Sequence, residues 1–188
     1  MIEIKCAGRG GQGAVVFAEI LAKAVFYDKN YSQAMPIFGV ERRGAPSSSF
    51  IRISKQPISI RQQIYSPDVL VVLDPSLIND ALVKCVKKNG VIIVNSTKQC
   101  MLTGYRTYCA DASAVALCIF GSNIVNTAML GAVTHSTDLV SFSSLMKAVE
   151  EKFEGNQELI EKNKKAIQEV YDSCQKNKCM PKTCLLGQ

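Results

Sequence analysis

Ile2-Glu3-Ile4-Lys5-Cys6-Ala7-Gly8-Arg9-Gly10-Gly11-Gln12-Gly13-Ala14-Val15-Val16 opens the chain, and its reading decides the fold. Residues 2–7 alternate into a glycine loop, the pattern of a first strand. Residues 14–26 then place Val15, Ala18, Leu21, Ala22 and Val25 at helical spacing, giving one apolar face. Between them, Gly8-Arg9-Gly10-Gly11-Gln12-Gly13 satisfies GxGxxG in the strand-to-helix context that motif requires. Glycines there permit a tight turn and a close backbone approach to a ligand. The first helical turn then offers unpaired N–H groups and partial positive charge to an anion, and Arg9 adds a guanidinium fork. The bland alternative is a glycine turn that serves only tight strand–helix packing.

Outward from this unit, residues 31–37 read as extended, with Pro36 arguing against helix. Residues 38–46 read as a loop and 47–54 as an alternating strand. The apolar run Val69-Leu70-Val71-Val72-Leu73 lacks alternation, as a strand covered on both faces does. Residues 76–87 read as helix with Ser76 as its cap, 91–95 as a second buried strand, and 106–109 as a short further strand. Helices are expected over 111–120, 124–134, 141–153 and 156–175, the last with Ile160, Ile167, Val170 and Tyr171 facing inward. Strands alternating with helices predict one three-layer α/β domain over residues 1–176. Its sheet is expected to be mostly parallel and Rossmann-like, with helices on both faces and a Cys-containing tail at 177–188.

Bulk composition bounds the function. The chain has 188 residues, 47% hydrophobic and 20% charged, with a net charge of +6. This suits a globular domain with an acidic ligand or partner. Lys and Arg are too dispersed for a nucleic-acid surface. No apolar run reaches the roughly 20 residues of a membrane helix, and the N-terminus lacks a secretory pattern, so a cytoplasmic protein is expected. Of the eight cysteines, Cys6, Cys109 and Cys118 read as small core residues. Cys174, Cys179 and Cys184 form no recognised ligand spacing, so no metal site is assigned.

A dinucleotide site needs a carboxylate about 20 residues beyond the glycines. The corresponding stretch, Tyr31-Ser32-Gln33-Ala34-Met35-Pro36, has none, and Asp28 falls at the wrong end of the strand. A self-sufficient dehydrogenase is therefore disfavoured. The second candidate loop, Gly39-Val40-Glu41-Arg42-Arg43-Gly44-Ala45-Pro46, reads either as a solvated surface loop or as an anion-binding edge. In the latter, Glu41 orients one guanidinium while the other meets a phosphate or carboxylate. It should leave the same sheet edge as the glycine loop. No catalytic set is evident. The single histidine, His135, reads as a surface or capping residue, and Asp74 as a ligand-edge carboxylate or a helix cap.

In order and spacing, these segments resemble the gamma subunit of the pyruvate and 2-oxoisovalerate:ferredoxin oxidoreductases. The resemblance rests on Gly8–Gly13, Gln33-Ala34 through Phe38-Gly39, Glu41-Arg42-Arg43-Gly44-Ala45-Pro46, Phe50-Ile51-Arg52-Ile53, and Pro67-Asp68-Val69 to Leu73-Asp74-Pro75-Ser76-Leu77. Asn126-Thr127-Ala128-Met129-Leu130-Gly131-Ala132 is similar to the family's later helix. The resemblance implies a subunit of an enzyme that oxidatively decarboxylates a 2-oxoacid, inactive alone, with alpha, beta and delta-type partner subunits. It implies thiamine diphosphate and iron–sulfur clusters on those partners, coenzyme A at a shared site, and ferredoxin as electron acceptor. Gly8, Arg9, Gly10, Gly11, Gln12, Gly13, Glu41, Arg42, Arg43 and Gly44 would face the coenzyme A phosphates or the subunit interface. The isolated chain is expected to expose apolar surface and to be capable of homodimerisation. The alternatives are a stand-alone nucleotide- or anion-binding module without catalysis, and a structural subunit whose glycine loop touches only protein.

Overall fold

The computed structural model describes residues 1–36, 44–98 and 101–176. Among the described residues, six strands form one sheet in the order β2-β3-β1-β4-β5-β6. They are β1 (Ile2–Arg9), β2 (Tyr31–Pro36), β3 (Pro46–Ser54), β4 (Val69–Val72), β5 (Val91–Asn95) and β6 (Arg106–Ala110). Strands β1, β4, β5 and β6 pair in parallel, whereas β3 runs antiparallel between β1 and β2. The sheet is thus mostly parallel, as expected. β4 and β5 are buried along their whole length, as their unbroken apolar runs require.

The helices are α1 (Ala14–Tyr27), α2 (Asp80–Lys84), α3 (Ala112–Phe120), α4 (Asn126–Thr137), α5 (Phe142–Lys152) and α6 (Gln157–Lys176). Five of them share one core with Ile4, Cys6, Ile51, Val71 and Ile93 on one face of the sheet. Short α2 and nearby loops cover Ala7, Leu70, Val72, Ile92 and Val94 on the other. Helix α4 is buried over every residue, because α6 lies across its outer side. Gly131 makes that approach possible: a Cβ there would lie 2.3 Å from the Ile167 carbonyl oxygen.

Several local expectations need correction. Residues 76–87 do not form one helix capped by Ser76. A 3-10 turn spans Pro75–Leu77, and α2 begins afresh with Asn79 as its cap. The reason is that Asp74 Oδ1 accepts both the amide (2.9 Å) and the hydroxyl (2.6 Å) of Ser76, which removes Ser76 from capping duty. His135 is not at the surface. It is buried at the end of α4 with its ring edge-on to Tyr171, at 5.3 Å between centroids. Cys118 is exposed on α3 instead of lying in the core, since α3 faces inward through Ala112 and Ala116. Cys174 belongs to the core through α6, while Cys100, Cys179, Cys184 and the tail 177–188 lie outside the described residues. Among the described residues no helix is long and apolar enough to cross a membrane.

Candidate functional site

The site lies where the chain departs in opposite directions from β1, to β2 and β3 on one side and to β4 on the other. In open α/β sheets such a switch point, at the carboxyl ends of the strands, is where a crevice forms. The glycine loop leaves the carboxyl end of β1. Gly11 and Gly13 adopt φ of 93° and 78°, a left-handed conformation that glycine accepts without penalty. Gln12 is turned inward: its amide donates to the Arg9 carbonyl (2.9 Å), and its Oε1 accepts from the Arg9 amide (2.7 Å). Gln12 therefore shapes the loop from within. The N-cap of α1 is Gly13, which has no side chain with which to cap the helix.

The second loop returns to the first. Gly10 donates to the Ala45 carbonyl (2.8 Å), and Gly44 donates to the Gly10 carbonyl (3.0 Å). Glu41, Arg42 and Arg43 lie outside the described residues, but Gly44, the residue after Arg43, is joined directly to the glycine loop. Pro36 ends β2 beside Ser49, and Pro46 starts β3 beside Arg9, so both ends of the intervening segment meet the same sheet edge.

Arg9 fastens this edge together. Its Nε donates to Asp74 Oδ2 (2.8 Å), one terminal nitrogen to the Gly44 carbonyl (3.1 Å), and the other to Ser76 Oγ (2.7 Å). Among the described residues these bonds engage three of the five guanidinium donors. The side chain is 36% exposed, so its charge is not fully shielded from solvent. Partial burial pushes the Asp74 carboxyl up. The Ser76 hydroxyl and amide, together with Arg9, outweigh that effect and hold it below the usual carboxylate range. A carboxylate with a depressed folded-state pKa contributes stability above its unfolded pKa and loses it as pH falls through the folded value. Thermal midpoints recorded from about pH 7 to pH 2.5 should therefore show a decline beginning near pH 4 that Asp74→Asn makes shallower. Parallel curves for the two proteins would show that the pair is not formed.

Two polar residues absent from the sequence-derived site stand at the same edge. Asn95 ends β5 and is fully engaged: Nδ2 donates to the Leu73 carbonyl and Ser113 Oγ (both 2.9 Å), and Oδ1 accepts from the Ser113 amide (3.2 Å). Asn126 opens α4 and lies over Gly13, with Nδ2 3.4 Å from the Gly13 carbonyl. A strand-ending Asn and a helix-opening Asn were the available signals, but the sequence does not show that they meet the glycine loop. Asp28 lies at the opposite end of α1. It accepts from the Ser141 amide (2.6 Å) and from the hydroxyls of Ser141 (2.7 Å) and Ser144 (2.6 Å), so it serves the start of α5.

The comparisons with known proteins agree with this architecture. Residues 3–173 match the family model described as pyruvate ferredoxin/flavodoxin oxidoreductase. The chain is 49% identical to pyruvate synthase subunit PorC of Methanocaldococcus jannaschii, over 92% of this chain and 96% of that protein. It is 47% identical to the pyruvate/ketoisovalerate oxidoreductases common subunit gamma of Pyrococcus furiosus, with the same coverage. Among solved structures, pyruvate oxidoreductase subunit PORC of Thermotoga maritima superimposes with a TM-score of 0.79 at 34% identity, covering 91% of this chain and 95% of that one. With a family match over nearly the whole chain and full-length relatives of the same kind, this protein belongs to the pyruvate ferredoxin/flavodoxin oxidoreductase family, among its gamma subunits.

Proposed function

We propose that this chain works within a complex that oxidatively decarboxylates pyruvate or a related 2-oxoacid to its acyl-CoA and passes the electrons to ferredoxin. Thiamine diphosphate and the iron–sulfur clusters are assigned to partner subunits. This chain contributes an anion-holding edge for the phosphates of coenzyme A. The observation that supports this reading is the joining of the two loops: the start of α1 at Gly13, the partly exposed Arg9 guanidinium and Gly44, the residue after Arg43, share one sheet edge. Exposed apolar side chains, including Phe26, Tyr65, Met101, Leu117 and Ile124, offer surface that partner subunits would cover.

The test is the assembled complex carrying Arg42→Ala, Arg43→Ala or both. Removing a charge-assisted phosphate contact is worth roughly 1.5–3 kcal/mol, so the apparent KM for coenzyme A should rise about tenfold or more with little change in the KM for the oxoacid. An intact complex with an unchanged coenzyme A KM would leave these loops a structural role only.

A further inference from the structure

Helices α1 and α4 start side by side, and neither N-cap residue, Gly13 or Val125, supplies a side-chain cap. Their meeting point is the Gly13–Asn126 contact, where a Cβ on Gly13 would lie 2.3 Å from Asn126 Nδ2. Two helix N-termini therefore direct their partial positive charge at the same edge of the glycine loop. Asn126 is only 5% exposed. Its Nδ2 faces the Gly13 carbonyl, which fixes the sense of the amide, and Oδ1 is buried without a hydrogen-bond partner among the described residues. An unpaired buried acceptor is unfavourable, and native chains keep one chiefly where something else supplies the donor.

We propose that Asn126 is a specificity-determining residue of this site. Its Oδ1 accepts a hydrogen bond from a hydroxyl or amide N–H that lies next to the phosphate group on the bound molecule. The class of ligand implied is a phosphate or diphosphate ester whose adjoining carbon chain carries such a donor, as distinct from a bare phosphate or diphosphate. The helix starts attract the anion, and Asn126 selects what the anion is attached to. This inference rests on the anion-holding role proposed above and adds a residue and a selection rule to it.

The experiment uses the assembled complex with two probes, coenzyme A and inorganic pyrophosphate, the latter read as a competitive inhibitor. Asn126→Leu keeps the approximate shape and removes the acceptor. Coenzyme A affinity should fall about tenfold, whereas pyrophosphate affinity should change less than twofold. Should leucine not be accommodated, Asn126→Ala also removes the acceptor and gives the same readout, because the ratio of the two affinities decides the matter, not either value alone. An unchanged ratio, with both affinities kept or both lost together, overturns the proposal. The two readings fail separately: arginine variants that alter neither probe remove the anion site itself, while an unchanged ratio in the Asn126 variant removes only the selection rule.

Discussion

Arg52→Met should lower the thermal midpoint by roughly 10 °C. Arg52 is 0% exposed, yet it sits in the middle of β3. In register it lies between Glu3 of β1 and Gln33 of β2. Its Nε donates to Glu3 Oε1 (3.0 Å) and one terminal nitrogen to Gln33 Oε1 (3.2 Å), so the side chain ties three adjacent strands. The other terminal nitrogen donates to the Gln62 carbonyl (2.7 Å), which holds the segment after β3 against the sheet. Removing one partner of a buried, hydrogen-bonded ion pair costs about 3–5 kcal/mol; Lys87 still faces Glu3 (3.5 Å), which places the loss at the lower end of that range. Lysine should rescue only part of this, since a single ammonium cannot reach three directions at once. Denaturant unfolding of Arg52→Met, Arg52→Lys and Glu3→Gln would measure these effects. A loss below about 1 kcal/mol for Arg52→Met would mean the network is not formed.

Gly131→Ala should also destabilise, although alanine is the better helix former. An added Cβ would lie 2.3 Å from the Ile167 carbonyl oxygen and 3.1 Å from the Tyr171 amide nitrogen. Both atoms are backbone, so no side-chain rotation relieves the overlap, and α4 and α6 must separate. Overpacking of this kind costs about 3 kcal/mol, against a helix-propensity gain of about 1 kcal/mol. The net expectation is a loss of about 2 kcal/mol, read as a lower urea midpoint with an unchanged slope. A stabilised Gly131→Ala protein would show that the two helices do not touch at this point.

Much of this fold is legible along the chain. The runs at 69–73 and 91–94 announce buried parallel strands because no polar residue interrupts them. The glycine loop announces its turn, because Gly11 and Gly13 occupy conformations other residues avoid. The last two helices, α5 and α6, are visible from their apolar spacing. Two expectations fail for different reasons. Ser76 is taken by its neighbour Asp74 as well as by remote Arg9, so it cannot cap a helix, and remote Tyr171 covers His135.

The candidate site divides in the same way. Local chemistry singled out Gly8 to Gly13 and the Arg42–Arg43 loop as candidates, because glycine conformation and fixed charge are properties of the residues themselves. The internal roles of Arg9 and Gln12, and the place of Asn126 over Gly13, depend on contacts the chain does not advertise. By itself the sequence determined the parallel strands, the glycine turn and the family resemblance, since each rests on short-range periodicity or backbone preference. Only the tertiary structure decided that β3 runs antiparallel beside β1, that Arg52 is buried, and that two helix starts meet at one asparagine. Those outcomes depend on which remote groups can satisfy a charge or an amide away from water, and packing alone brings such groups together.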